Sequence, residues 1–106
     1  MRQFSVHRNR NAGTRSRYPL LLVVQSDLIA ETGTRVVVPM LPVAEERQSP
    51  AISGLAPVLE VEGRPHVLVV PLLAAVELGD LGPLAADLSG ERATIMAALD
   101  LLISGI

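Results

Sequence analysis

The feature that most constrains the fold of this chain is a change in the spacing of its apolar residues. Up to about residue 78 they form short runs separated by Gly, Pro and polar residues, a pattern typical of β-strands joined by turns. From residue 88 onwards they recur at intervals of three and four, which indicates an amphipathic helix. Several strands followed by one helix predict a mainly β domain, a small antiparallel barrel or sandwich on which the helix packs.

The strands are predicted from these runs and from the turn residues between them. The clearest hairpin joins residues 58–61 to residues 66–70 through a turn at 62–65 (Glu-Gly-Arg-Pro). Pro39 and Pro42 are expected to end the pairing of their strand, because proline cannot donate a backbone hydrogen bond. The predicted strands are residues 4–7, 20–25, 35–39, 58–61, 66–70 and 74–78. The predicted connections are the polar insert 45–54 and the sequence 79–83 (GDLGP), which is expected to break the chain before the helix.

The helix is predicted over about residues 89–103. Asp87 or Ser89 can cap its start, and Glu91 in the first turn complements the helix dipole. The apolar stripe that should pack on the sheet consists of Leu88, Ile95, Met96, Leu99, Leu102, Ile103 and Ile106.

The composition indicates one aliphatic core. Hydrophobic residues make up 49% of the 106 residues, yet Phe4 and Tyr18 are the only aromatic ones. A chain of this length is expected to form a single domain, residues 1–106. The absence of cysteine excludes disulfides and thiolate chemistry, and no apolar run approaches the roughly 20 residues of a membrane span. We therefore expect a cytoplasmic protein that does not enter a membrane.

Charge is unevenly distributed along the chain. The formal net charge is −2, but the first 26 residues carry five arginines and no acidic residue. Such a strip could bind an acidic protein or a phosphate backbone, and the alternative is a solvated loop. These arginines are Arg2, Arg8, Arg10, Arg15 and Arg17.

The sequence contains no pattern that indicates catalysis. His7 and His66 are the only histidines, they fall on different predicted strands, and neither has the spacing of a metal site. No glycine-rich phosphate loop or nucleophile elbow is present. We expect neither an enzyme nor a bound metal or cofactor.

Several short segments carry a family resemblance in collinear order. The most specific is residues 24–29 (VQSDLI), in which two aliphatic residues follow Val-Gln-Ser-Asp. The others are residues 3–6 (QFSV), 17–20 (RYPL), 33–39 (GTRVVVP), 55–61 (LAPVLEV), 86–89 (ADLS), Arg92 and 105–106 (GI). Together they resemble the CcdB family, the toxin half of bacterial type II toxin–antitoxin pairs.

That resemblance implies an SH3-like small antiparallel β-barrel of the kind found in CcdB- and MazF-type toxins, with a small accessory sheet and a C-terminal helix. It also implies a homodimer that binds the DNA gyrase A chain and traps the cleaved-DNA complex. The protein would then contact nucleic acid only indirectly, through gyrase. The implied second partner is a CcdA-like antitoxin, whose disordered C-terminal segment neutralises the toxin, and the implied role is plasmid maintenance.

The same resemblance assigns gyrase contact to the end of the chain. The implied contact residues are Asp100, Ile103, Ser104, Gly105 and Ile106. The sequence departs from the family pattern at Ser104, where the pattern has a tryptophan. Ile103 is aliphatic where the pattern favours an aromatic residue, and Asp100 replaces an amide.

Antitoxin contact is the least specific of the implied sites. An acidic antitoxin segment could bind the arginine strip, with contacts at Arg8, Arg10, Arg15 and Arg17.

Two alternatives follow from the sequence. The loss of the aromatic residue before Gly105 also fits an inactive or repurposed homologue that only dimerises and binds antitoxin. An endoribonuclease of the related barrel toxins would need an acid–base set, for which His7, Arg8, Asp27 and Arg35 are the candidates.

Overall fold

The computed structural model of the protein describes residues 1–43 and 54–105. The described part contains seven strands in one antiparallel sheet and one α-helix at the C-terminal end. Apart from Gly54, the predicted insert 45–54 lies outside the described residues. The strands are β1 (Ser5–Asn9), β2 (Leu20–Val23), β3 (Thr34–Pro42), β4 (Val58–Val61), β5 (Arg64–Leu68), β6 (Ala74–Glu77) and β7 (Leu81–Asp87), and the helix is α1 (Arg92–Ser104).

The sheet curls into a half-barrel, in which β3 pairs with three other strands. The strand order is β4-β5-β3-β2-β1-β7, with β6 paired to β3 as a branch. The first half of β3 pairs with β6, and its second half pairs with β5. The prediction of a mainly β, antiparallel, barrel-like domain with a C-terminal helix is confirmed.

β2 is buried on both faces of the sheet. Leu20 and Leu22 point into the main core beneath α1, whereas Leu21 and Val23 point to the opposite, outer face. On the outer face they form a smaller cluster with Val37, Val76 and Leu81. A strand buried on both faces has a continuous apolar sequence, which explains why Leu-Leu-Leu-Val shows no alternation. The main core contains aliphatic side chains almost alone: Val6, Leu20, Leu22, Val38, Met40, Leu59, Val61, Leu68, Val70 and Ile95, with Phe4 at its edge.

The prediction that Pro39 ends its strand is wrong. Pro39 lies within β3 opposite Leu21. Its carbonyl accepts from the Val69 backbone N–H at 3.0 Å, on the side where β3 changes partner from β6 to β5. The N–H and C=O groups of one strand residue point to the same side of the strand. The N–H that Pro39 lacks would therefore point to the place where β3 changes partner, and no ladder hydrogen bond is lost. Pro42 is the last residue of β3, as the sequence predicts.

The β4–β5 hairpin is confirmed, but its turn is shorter than predicted. Glu62 and Gly63 alone form the loop, with φ of 54° and 77°. Positive φ at both central residues is the geometry of the type I′ turn, which favours glycine and matches the twist of the strands. Arg64 and Pro65 belong to β5, where the Pro65 carbonyl accepts from the Val43 N–H at 3.1 Å.

β7 is the strand that was not predicted from the sequence. Only the short 3₁₀ turn Leu78–Asp80 interrupts the chain before β7 begins at Leu81. β7 pairs with β1 through two register shifts, so its apolar residues do not alternate. As an edge strand in the described sheet, β7 also accommodates Gly82 and Pro83, which a central strand would exclude.

α1 has an identifiable cap only at its C-terminal end. The prediction that Asp87 or Ser89 caps its start is wrong, because the helix begins at Arg92 after Glu91 and no side chain caps it there. The Asp87 Oδ1 atom accepts from the Ser89 N–H at 2.8 Å, which starts the 3₁₀ turn Ser89–Glu91 that leads into the helix. This hydrogen bond holds the pKa of Asp87 below its ordinary value of 3.8. At the other end Gly105 adopts a left-handed φ of 75°, and its N–H donates to the Leu101 carbonyl at 3.0 Å. None of the helices in the described residues is long and apolar enough to cross a membrane.

Candidate functional site

The last turn of α1 brings four of the five predicted gyrase-contact residues together at the surface. Asp100, Ile103, Ser104 and Gly105 are all exposed, and Asp100 and Ser104 lie one helical turn apart. The Ser104 hydroxyl donates to the Asp100 carbonyl at 2.7 Å. The fifth, Ile106, lies outside the described residues.

Ile103 does not belong to the packing face, and its assignment to the apolar stripe is wrong. At about 100° per residue, Leu102 lies roughly 20° from Ile95 around the helix axis, whereas Ile103 lies roughly 80° away. Ile95 and Ala98 are fully buried and Leu102 packs against the core, but Ile103 is 75% exposed. The stripe predicted from spacing was therefore too wide, and the helix end presents an aliphatic side chain to solvent.

An exposed apolar pair away from the helix end was missed by the site prediction. Leu28 and Ile29 lie in the 3₁₀ turn Asp27–Ile29, and Leu28 is 90% exposed. The Ser26 hydroxyl accepts from the Leu28 N–H at 3.1 Å, and the Asp27 carboxylate accepts from the Gln3 N–H at 2.8 Å. The signal was present in residues 24–29, because two aliphatic residues directly after a capping Ser-Asp have no neighbouring apolar run to pack with.

The arginines of the strip differ in their surroundings. Arg8 and Asn9 are consecutive in β1, so their side chains leave opposite faces. Arg8 contacts both carboxylate oxygens of Glu62, at 2.6 and 2.7 Å, in the one salt bridge found among residues 1–43 and 54–105. Arg17 instead donates to the Tyr18 hydroxyl at 3.1 Å and stacks on its ring. Arg8 is therefore engaged in an ion pair, whereas Arg17 contacts an aromatic ring.

The outer face of the sheet contains a shallow groove, which we call the outer-face groove. Its volume is about 240 Å³. Its floor is apolar and its rim comes from the loop that joins β1 to β2. The lining residues are Asn9, Asn11, Thr14, Tyr18, Leu21, Val37, Pro39, Leu72, Ala74 and Val76.

The four residues proposed for ribonuclease chemistry do not converge. His7 is buried, with Nδ1 donating to the Gly82 carbonyl at 3.0 Å and Nε2 lying 2.9 Å from the Ser5 hydroxyl. Arg8 is paired with Glu62, and the Asp27 carboxylate accepts from the Gln3 backbone. Arg35 donates to the backbone carbonyls of Ala30, Thr32 and Thr34. In the described part of the chain, no three His, Asp or Glu side chains are placed to hold a metal ion.

The comparisons with known proteins agree with this architecture. The family model described as CcdB protein matches residues 3–105 of the chain. A search of curated proteins returned no significant match. The matched region includes every strand of the sheet and the whole of α1. A family model matched over nearly the full length, together with the curled antiparallel sheet and its C-terminal helix, establishes that the chain belongs to the CcdB family.

Proposed function

We propose that this protein is the toxin of a type II toxin–antitoxin pair, that it binds the DNA gyrase A chain in the cytoplasm and that it traps the cleaved-DNA complex. It acts by occupying gyrase and not by chemistry of its own. Membership of the CcdB family supports the class of toxin. The exposed end of α1 supports the place of contact.

The observation that carries the proposal is the exposure of Ile103 beside Gly105. A large aliphatic side chain that is 75% exposed at the end of an ordered helix contributes little to folding. Exposed apolar side chains on a rigid element are suited to bind a partner protein. Asp100 and Ser104 flank Ile103 and supply the polar rim that such a contact needs.

The test is a cleavage assay with purified protein and gyrase from the same bacterium. Supercoiled plasmid should accumulate as linear DNA when the protein is added and the gyrase is denatured. Ile103→Asp should reduce that accumulation at least about tenfold, as expected for a central contact residue. Val58→Asp is the matched control, because Val58 is an exposed aliphatic residue on β4. No cleavage and no binding of the gyrase A chain by the unmodified protein would reject the proposal.

The second candidate is a homologue that keeps dimerisation and antitoxin binding but has lost gyrase trapping. The position of Ser104 favours it, because a tryptophan at that position would bury roughly 200 Å² in an interface, whereas the Ser104 hydroxyl is occupied within the helix. The two functions differ in growth arrest. Expression in the native host should arrest growth if the toxin hypothesis is right, and deletion of residues 105–106 should relieve the arrest.

The proposed assembly is a homodimer that an acidic antitoxin segment recognises. Closed twofold dimers are the commonest assemblies of small soluble chains. Arg15 and Arg17 are exposed and have no ion-pair partner in the described residues, so they suit an acidic partner. Sedimentation of the purified protein tests the first point: a monomer at micromolar concentration would contradict it.

A further inference from the structure

A second concave region lies on the inner face of the sheet, beside the β4–β5 turn, and we call it the inner-face depression. Its volume is about 410 Å³. Arg8 lies opposite the core residue Leu20, and His66 lies two residues from the core residue Leu68, so both side chains share the face that the core occupies. The charged and polar side chains of its lining are Arg8, Glu62, Arg64 and His66.

The imidazole of His66 presents a hydrogen-bond acceptor to this depression. The side chain is 7% exposed, and its Nδ1 atom lies 2.9 Å from the Arg64 carbonyl oxygen. A carbonyl oxygen can only accept, so Nδ1 carries the proton of the neutral ring and Nε2 carries the lone pair. Among residues 1–43 and 54–105, Nε2 has no hydrogen-bond partner, and it is not sealed from solvent. A ligand in the depression therefore meets a fixed acceptor that needs an O–H or N–H donor.

A positive charge accompanies that acceptor. Arg64 lines the depression, is exposed and makes no salt bridge within the part of the chain that the structure describes. Arg8 and Glu62 also line it, but they neutralise each other through a contact of 2.6 Å. Because Arg64 and His66 are two residues apart in β5, their side chains leave the same face of that strand. The lining thus combines an uncompensated cation with a neutral acceptor.

We propose that the inner-face depression binds a small phosphate compound that also carries a hydroxyl group. The phosphate oxygens accept from the Arg64 guanidinium, whose planar array of donors suits this group. The hydroxyl donates to His66 Nε2. A phosphate ion alone does not fill about 410 Å³, so the organic part of a polyol phosphate has room against the apolar side chains of Pro42 and Val61. This site goes beyond the proposed gyrase contact and does not depend on it.

The hydroxyl is the feature that the His66 acceptor selects. An oxyanion without a hydroxyl places an oxygen lone pair against the lone pair of Nε2, which leaves both unsatisfied. At pH 8, where imidazole side chains are ordinarily neutral, sulfate and methyl phosphate are oxyanions of this kind. Inorganic phosphate keeps one O–H at that pH, and glycerol 3-phosphate has hydroxyls on its organic part. The two sources of the same chemistry, the free ion and an organic phosphate, can therefore be compared directly.

The first experiment measures the affinity of the full chain for these four anions by calorimetry at pH 8. Inorganic phosphate and glycerol 3-phosphate should bind at least about tenfold more tightly than sulfate and methyl phosphate. The tighter of the two phosphates identifies the source. Equal affinity for all four anions would show attraction by charge alone and would overturn the proposal. The absence of binding of either phosphate at millimolar concentration would also overturn it.

The second experiment changes the charges of the lining. Arg64→Gln should weaken phosphate binding at least about tenfold, because it removes a charged hydrogen-bond donor. Arg15→Gln is the matched control, since Arg15 is an exposed arginine in the β1–β2 loop and has no salt bridge in the described ranges. Glu62→Gln should instead tighten binding, because it removes a carboxylate from the lining and releases Arg8. Unchanged affinity in folded Arg64→Gln would contradict the proposal.

The third experiment tests the role of His66 without changing this buried residue. The ¹⁵N resonance of its Nε2 atom should shift when the unmodified protein is saturated with the tighter phosphate, because the lone pair then accepts a hydrogen bond. Methyl phosphate should produce a smaller shift. A resonance that does not move in the saturated phosphate complex would overturn the assignment of the hydroxyl to His66.

Discussion

Leu21 and Leu22 are neighbours in β2, yet the two faces of the sheet that they enter are covered very differently. Leu22 is 0% exposed and lies in the main core, which α1 covers. Leu21 is 4% exposed, but it lines the outer-face groove. The inner face is thus covered by α1, whereas the outer face has a shallow groove above Leu21. Substitutions on each face test whether the two differ in this way.

The largest effect is expected for Leu22→Ala. The substitution leaves a cavity that α1 and the neighbouring strands cannot fill, so we expect a loss of about 3 kcal/mol in the free energy of unfolding. Chemical denaturation measures it. A loss below about 1 kcal/mol would mean that the inner face can collapse and is not tightly enclosed.

Leu21→Ala is the matched substitution on the outer face, and its effect should be smaller. The groove already admits solvent, so only the transfer free energy of the removed atoms is lost, about 2 kcal/mol. The difference between the two variants therefore measures the cavity contribution on the inner face. Equal losses for Leu21→Ala and Leu22→Ala would contradict the open groove.

Gly82→Ala tests the strand that closes the outer face beside Leu81. A Cβ at Gly82 would lie 2.9 Å from the Arg8 carbonyl oxygen, which belongs to the paired backbone of β1 and cannot move away easily. We expect a loss of about 1 kcal/mol, the lower end of overpacking costs. Gly79→Ala is the control, because nothing lies within 4 Å of its Cβ position. Equal stability of the two variants would show that β7 shifts freely.

The smallest effect is expected at Asp87, whose carboxylate accepts from the Ser89 N–H just before the helix that covers the inner face. The Ser89 backbone hydrogen bond lowers the pKa of Asp87 in the folded state. Its negative charge therefore stabilises the fold at pH values above the ordinary pKa of 3.8. That contribution is lost as pH falls through the folded-state pKa. Asp87→Asn should therefore be less stable than the unmodified protein at neutral pH, and the difference should close below about pH 3.8. A difference in unfolding midpoint that stays constant with pH would contradict this cause.

The parts of the fold that the sequence predicted depend on local signals. The β4–β5 hairpin has a glycine turn between two short apolar runs, and α1 has a regular apolar period. The exposed helix end followed from the family resemblance together with that period. Ile103 was assigned to the wrong face because the spacing rule does not set the width of the packed stripe.

The parts that the sequence did not predict depend on distant contacts. β7 pairs with β1 across register shifts, and its Gly82 and Pro83 are typical of a break when viewed without that partner. Pro39 is accommodated only because β3 changes partner beside it. Leu21 and Leu72 both line the outer-face groove although they are far apart in sequence. No local sequence pattern indicates that they lie close together in the fold.

The central claim is that the exposed end of α1 is the surface with which this protein binds gyrase. The most direct test measures the linear DNA formed by the host gyrase with the unmodified protein, with Ile103→Asp and with the control Val58→Asp. We predict that the unmodified protein and Val58→Asp trap cleaved DNA to the same extent, whereas Ile103→Asp traps at least about tenfold less. Equal trapping by all three folded proteins would contradict the claim.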